Sequence, residues 1–383
     1  LIFLQAYKGM TQECNNTKEC PISLETSQEC NNTKGSCQCP LYPPQDRRTQ
    51  TSRLTFIHYN VEWMQFPREA IWGSEELSLE HTRMISSIIG QFDADIWNFA
   101  ELGDCESLTV LNDIINERYP HLYQMYRPYL LKGTDTSTHQ NVGILTKIDP
   151  ITPLQRSSNR VGYPLSETRC CSPVGGHPFE PCRNTTQPPK TTGVSKHSFS
   201  LFETDDFDVL LVSVHFLAFP TEDFRCQKRE AQATLIAEII QQEFEQHQLH
   251  GKKLELIVAG DFNDYDPSVV DANHSVPTSR VLDIIKQALS SKFPESHPIP
   301  LLNVAHFDDK NPSQVYSAWW DRNNNCIVDG DQELTLIDQV LVSPNLASYI
   351  TEVSFETALY SGSCENIRYS DHWPIRVEFD FSD

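Results

Sequence analysis

Apolar positions along this chain repeat with two periods, and the alternation between them predicts the architecture. Short apolar runs read as strands: Leu256-Ile257-Val258-Ala259 has no polar interruption and suits a strand covered on both faces, with Gly260 letting the chain turn as it leaves the sheet. The run from Leu54 to Trp63 reads as a strand ending at Asn60, and the run from Ala94 to Glu101 as another. Between them, Leu77, Met84, Ile85, Ile88 and Ile89 fall at helical spacing, predicting a helix over about 74–92. A short helix is expected over about 105–118, with strands near 122–131, 141–147, 194–203 and 208–215. A helix over about 222–247 presents Ala231, Leu235, Ile236, Ile239, Ile240 and Phe244 on one face. A helix over 278–290 and strands at 334–342, 351–356 and 374–381 complete the pattern. Strands separated by helices in some places and consecutive in others predict an α/β fold of two sheets packed face to face, flanked outside by helices. That domain spans 51–383.

Two stretches lack either period. Residues 1–50 hold five cysteines and a repeat, Gln12-Glu13-Cys14-Asn15-Asn16-Thr17-Lys18 recurring as Gln28-Glu29-Cys30-Asn31-Asn32-Thr33-Lys34. They read as a small cysteine-rich, glycosylated extension ending in a proline-rich linker. Residues 153–192, with Cys170, Cys171 and Cys182, read as a disulfide-rich surface insertion. Twelve cysteines and the Asn-x-Ser/Thr sites at Asn15, Asn31, Asn184 and Asn273 predict an oxidising, secreted or lumenal setting and N-linked glycans. A start at Leu1 rather than methionine predicts a leader removed or omitted, and no apolar run approaches the length of a membrane span. The net charge of −22 excludes a protein that coats nucleic acid through its overall field, though not an enzyme that binds it locally or through a metal.

Polar residues gather at the predicted strand exits: Asn60, Glu101, His215, Asp261, Asn263, Asp338, Asp371 and His372. Each alone has an ordinary reading as a turn former, a cap or a hydrogen-bonded core residue. Together they supply what phosphate-ester hydrolysis needs. Carboxylate and amide oxygens suit a hard divalent cation such as Mg²⁺ or Mn²⁺, and two histidines can exchange protons with, or neutralise, a phosphoryl group.

Taken in order, Asn60-Val61-Glu62, Phe99-Ala100-Glu101, Ser213-Val214-His215, Gly260-Asp261-Phe262-Asn263, Ile337-Asp338 and Ser370-Asp371-His372-Trp373-Pro374 resemble the motifs of the endonuclease/exonuclease/phosphatase superfamily, of the pancreatic deoxyribonuclease type. The resemblance spans roughly 54–382 and implies a two-sheet sandwich with its site at one edge. It implies Glu101 as the principal metal ligand, supported by Asn60 and Asp371. Asp261 would activate water, Asn263 would hold the phosphate, Asp338 would orient His372, and His215 would protonate the leaving oxygen or bind phosphate. Two family features have no counterpart in the sequence: a glutamate supporting His215, sought within 120–140, and a basic cluster for a nucleic-acid backbone. Arg127, Lys132, Arg156, Arg160 and Lys196 are scattered and read equally well as solvated surface charge.

The stretch from Asp321 to Asp331 places Asp321, Asn323, Asn325 and Asp329 at calcium-loop spacing, but Cys326 stands where an EF-hand has glycine and Gln332 where it has its bidentate glutamate. A structural Ca²⁺ site and a solvated loop both remain open readings. The adjacent Trp319-Trp320 pair is expected to pack rather than line a cleft. The expected function is a secreted, metal-dependent phosphodiesterase acting on nucleic acid, most simply DNA. The alternatives are a phospholipid phosphodiesterase of the sphingomyelinase type and a non-catalytic extracellular glycoprotein built on this fold.

Overall fold

A computed structural model describes residues 44–67, 73–165, 190–220, 223–248, 251–309, 311–328, 330–360 and 369–382. The chain runs β1 (Arg53–Met64), α1 (Glu75–Phe92), β2 (Ile96–Leu102), α2 (Cys105–Arg118), β3 (Arg127–Leu130), β4 (Asn141–Thr146), β5 (Val161–Tyr163), β6 (Lys190–Thr192), β7 (His197–Glu203) and β8 (Phe207–His215). It continues with α3 (Asp223–Gln248), β9 (Lys253–Asp261), α4 (Val281–Lys286), α5 (Ala288–Lys292), β10 (Leu302–Asn303), β11 (Ala318–Trp319), β12 (Leu334–Thr335), β13 (Asp338–Val342), α6 (Pro344–Ala347), β14 (Ile350–Phe355) and β15 (Ile375–Asp380).

The strands form a six-stranded sheet, β14-β15-β1-β2-β4-β3, and a five-stranded sheet, β10-β13-β9-β8-β7. Each sheet holds one parallel pair, β1 with β2 and β8 with β9, joined through α1 and α3. A parallel crossover needs a connection long enough to recross the sheet, which those helices supply while covering its outer face. Alternate residues therefore serve two cores. On β1, Leu54 and Phe56 face the opposite sheet, while Ile57, Tyr59 and Val61 face α1 and α2. On β9, Ile257 and Ala259 face inward, while Leu256 and Val258 meet α3 and α4. Both faces are buried, so the strands read in sequence as unbroken apolar runs. α1 starts where the Ser74 hydroxyl accepts from Leu77 N–H and ends on Asp93 in the left-handed region.

The expected two-sheet α/β sandwich is what the chain forms, with local differences. The strand expected over 122–131 is only β3, because Pro120–Leu122 forms a 3₁₀ turn. The one expected over 334–342 breaks into β12, which pairs with β11, and β13, which joins the main sheet. The helix expected over 278–290 is two short helices. Gly260 stands inside β9 and makes no turn: a β-carbon there would lie 1.8 Å from the Val214 carbonyl oxygen of β8. Close approach of two backbones, not a bend, demands glycine. Within the expected insertion, β5 and β6 pair with each other, and 166–189 lie outside the described residues, as do 1–43. The body begins ahead of 51, since Arg47 pairs with Asp149 at 2.6 Å and Gln45 N–H donates to the same carboxylate. Cys105, Cys226 and Cys326 are disulfide-bonded. No helix among the described residues is long and apolar enough to cross a membrane.

Candidate active site

Along the inward faces, side chains change from apolar to polar toward one end of the sandwich. β1 runs Leu54, Phe56, His58, Asn60; β2 runs Ile96, Asn98; β8 runs Val209, Leu211, Ser213, His215; and β9 runs Ile257, Ala259, Asp261. β13 is antiparallel to β9 and brings Asp338 to the same end. His215, Asp261 and Asp338 are register partners in one row across β8, β9 and β13. The carboxyl ends of parallel strands are where open α/β sheets hold ligands.

Glu101 reaches this end by a backbone irregularity. Strict alternation from Ile96 and Asn98 would put it on the outer face, but the pairing shifts register after Asn60 and after Phe99, and Glu101 has φ +66°. A β-branched or bulky residue would hold that conformation poorly. The shift turns the carboxylate inward, where Oε1 accepts from Asn60 Nδ2 at 3.3 Å and Oε2 from Gln140 Nε2 at 2.6 Å. Asn60 Nδ2 also lies 3.3 Å from Asp261 Oδ2 and 3.5 Å from His372 Nε2, tying the two sheets together at the site. Asn263 N–H donates to Asp261 Oδ1 at 2.8 Å, a turn helped by φ +50° at Asn263, and its side-chain amide donates to Phe216 O.

His372 arrives from another direction. Its backbone bridges Ala318, its N–H donates to Ser370 Oγ, and its Nδ1 meets Asp338 Oδ2 at 2.6 Å. Burial works against charge on both partners, yet the pair overcomes it: the His372 imidazolium holds the Asp338 carboxyl well below the usual range. Asp338, with help from Asp371, raises His372 well above the ordinary histidine value. Burial, then the Asp338 charge, pushes the neighbouring Asp261 up to about 8. A fixed cation and a basic carboxylate therefore stand side by side. Asp371 is at the rim, its side chain 38% exposed and Oδ1 3.6 Å from His372 Nε2, while its N–H donates to Glu62 Oε2.

His215 has a different environment from the one expected. Its Nε2 is 3.0 Å from Lys196 Nζ, and also 3.8 Å from Glu101 Oε1 and 3.7 Å from Asp261 Oδ2. Its buried Nδ1 has no hydrogen-bond partner among the described residues. Burial, reinforced by Lys196, lowers its pKa well below the ordinary value, and the ring is neutral. Lys196 itself is buried and hydrogen-bonds Gln140 Oε1 at 3.1 Å. It is the one basic candidate that converges on the site. Arg127 is bound to Asp149 and Gln45, Arg156 to the Lys132 carbonyl, and Arg160 to Thr191, while Lys132 lies exposed.

No family model matches the chain, and no curated protein matches it. Solved structures similar to it include endonuclease/exonuclease/phosphatase family proteins. One from Bacteroides thetaiotaomicron is 16% identical, covering 89% of this chain and 97% of its own, with a TM-score of 0.44. One from Leptotrichia buccalis is 13% identical, covering 86% of this chain and 100% of its own, with a TM-score of 0.48. TDP2 from D. rerio, solved with a single strand DNA product, is 15% identical, covering 86% and 99%, with a TM-score of 0.46.

The donor set fits a divalent cation. Glu101, His215 and Asp261 each offer a ligand atom within 4.8 Å of the others; Asp261, Asp338 and His372 lie as close together, but the cationic His372 has no lone pair to give. Glu62 and Glu101, both half-buried near Asp371, have pKa values raised by desolvation and by that charge. A hard cation among these oxygens would relieve the repulsion. Sequence reading placed Lys196 only among scattered basic residues and gave no site role to Glu62, Gln140 or His58. The last was open to detection, since it lies two residues from Asn60 and therefore on the same face.

The calcium-loop candidates do not join the site. Asp321 accepts from the N–H groups of Asn325 and Cys326, Asn323 from Asn325 N–H, and Asn325 from Ile327 N–H, while Asp329 lies outside the described residues. Trp319 packs as expected, with Nε1 donating to Glu333, whereas Trp320 is 58% exposed. A cavity of about 370 Å³ opens at the opposite end of β9, beside Leu254, Glu255 and Ser343, and contains none of the site residues.

Proposed function

We propose that this protein is a divalent-metal-dependent phosphodiesterase. The observation that carries the reading is the convergence of Asn60, Glu101, Asp261, Asp338 and His372, from four strands and the Ser370–His372 segment, on one hydrogen-bonded pocket. Glu101, with Asn60 and Asp371 near it, would hold Mg²⁺ or Mn²⁺, which supplies charge to a phosphoryl oxygen. Asp261, held by Asn60 and the Asn263 N–H, is placed to take a proton from attacking water. His372, kept cationic by Asp338, stabilises charge growing on the phosphoryl oxygens. His215 does not suit proton donation: it is neutral and turns its Nε2 toward the Lys196 ammonium, so Lys196 is the cation on that side of the pocket.

Nucleic acid is the first substrate reading, on the strength of the motif resemblance. A phospholipid is the second, and a specific observation favours it. The basic side chains outside the site are engaged or scattered, whereas Phe219, Val276 and Trp320 are 47%, 68% and 58% exposed. Phe219 and Val276 lie on the loops leaving β8 and β9, which Arg229 ties together through the Phe219 carbonyl and Thr278 Oγ1. We also infer an extracellular setting with N-glycans, supported by the disulfide-bonded cysteines and by Asn273, half-exposed in a turn. The test offers plasmid DNA, RNA and a choline phospholipid with Mg²⁺, Mn²⁺, Ca²⁺ or chelator. Chelator-sensitive cleavage of nucleic acid supports the first reading, and phosphocholine release with intact DNA replaces it with the second. Silence on every phosphoester would leave a structural glycoprotein.

A further inference from the structure

Beneath His372 a second imidazole reaches the same carboxylate. His58 is fully buried, and its Nε2 lies 3.0 Å from Asp338 Oδ1. The other oxygen, Oδ2, receives His372 Nδ1 at 2.6 Å and Ser317 Oγ at 2.8 Å. The far side of His58 is held too. Ser213 Oγ donates to Asn98 Oδ1, which fixes the amide so that Asn98 Nδ2 faces His58 Nδ1 at 2.9 Å. The Asn98 main-chain oxygen is 3.1 Å from the same nitrogen. Held from that side by Asn98, the ring presents its Nε2 to Asp338.

A carboxylate held by one oxygen can turn about its broad terminal torsion, and the imidazole bonded to it turns as well. Held at both oxygens, it has one plane and gives its partner one direction. We propose that His58 is a positioning residue: acting through Asp338, it fixes the ring orientation of His372. It is a link in a hydrogen-bonded line, Ser213–Asn98–His58–Asp338–His372, that crosses between the two sheets under the pocket. The inference rests on the hydrolase reading above. A plain core histidine at this place would matter to stability alone.

The experiment uses the full chain, metal-loaded, on whichever phosphodiester it cleaves. His58→Leu is expected to lower kcat about 10- to 100-fold, as loss of outer hydrogen-bond partners does elsewhere, with KM within about twofold. His58→Gln, whose amide can still donate to Asp338, is expected to recover part of that loss. In a His372→Ala background, His58→Leu should cost no more than about twofold, because residues acting as a unit are not additive. If His58→Leu fails to fold, His58→Asn, polar but too short to reach Asp338, replaces it with the same expected loss. The Nδ1 proton of His372, observed by NMR, should shift or vanish in the folded variant. A folded variant with unaltered kcat, or an equal loss with and without His372, overturns the proposal. Should the wild type cleave no phosphoester, the hydrolase reading falls, and an Nδ1 proton unmoved by His58→Leu would still refute the positioning role.

Discussion

Asp261 and His372 show how neighbouring groups acquire opposite tasks from one environment. Burial disfavours charge on both, but His372 has Asp338 against its ring and stays cationic, while Asp261 has Asp338 as a repelling neighbour and becomes a stronger base. Removing either function, by Asp261→Asn or His372→Ala, is expected to lower turnover about 10²- to 10⁴-fold in the folded variant. Steady-state kinetics on the cleaved substrate checks this. Lys196→Met is expected to lower kcat while leaving the fold intact. Lys196→Arg should not restore it, because a planar guanidinium does not fit the compact buried position between His215 and Gln140. Recovery by arginine would show that charge alone matters there.

At the scale of elements, the strands and their exits were legible because unbroken apolar runs ending in polar residues mark buried parallel strands. What stayed hidden is alternation. With both faces of β9 covered by apolar side chains, the inward pair Ile257 and Ala259 cannot be told by hydrophobicity from the outward pair Leu256 and Val258. On β1 the polar residues His58 and Asn60 do alternate with Ile57, Tyr59 and Val61, and that spacing is the signal that could have found His58. Glu101 was recognised by its motif, although alternation alone would have placed it on the wrong face; the register shift that turns it inward leaves no compositional trace. Lys196 read as surface charge because its exposure depends on β7 lying beside β8, a long-range pairing. Gly260 is required by its contact with β8 rather than by a turn, and that contact gives a sharper expectation. Gly260→Ala should destabilise the protein by about 1–3 kcal/mol, typical of overpacking in a core, as measured by denaturant unfolding. An unchanged midpoint would mean that the two strands can part at no cost.

For the whole molecule, the crowding of carboxylates makes stability depend on pH and metal together. Asp261, whose pKa rises from 3.8 to about 8 on folding, binds protons more tightly folded than unfolded, and the raised His372 does the same. Both contributions are lost as pH rises. The lowered His215 and His197 act the other way only below their unfolded value near 6.5. Between about pH 6.5 and 8 the cited shifts thus agree, and metal-free protein should lose stability across that window. Adding Mg²⁺ or Mn²⁺ at pH 8 should raise the melting temperature, since a ligand that binds only the folded state stabilises it. Melting curves at several pH values, with and without chelator, test both statements.

His215, Asp261 and Asp338 share a single rung of the five-stranded ladder. Were β9 to dock one residue out of step, nearly all its backbone bonds could re-form, yet Asp261 would be carried to the helix-covered side and Gly260 would stand in its place. Such a molecule would keep its circular dichroism and lose its chemistry, so for this protein turnover per mole reports correct assembly more faithfully than spectroscopic content of sheet.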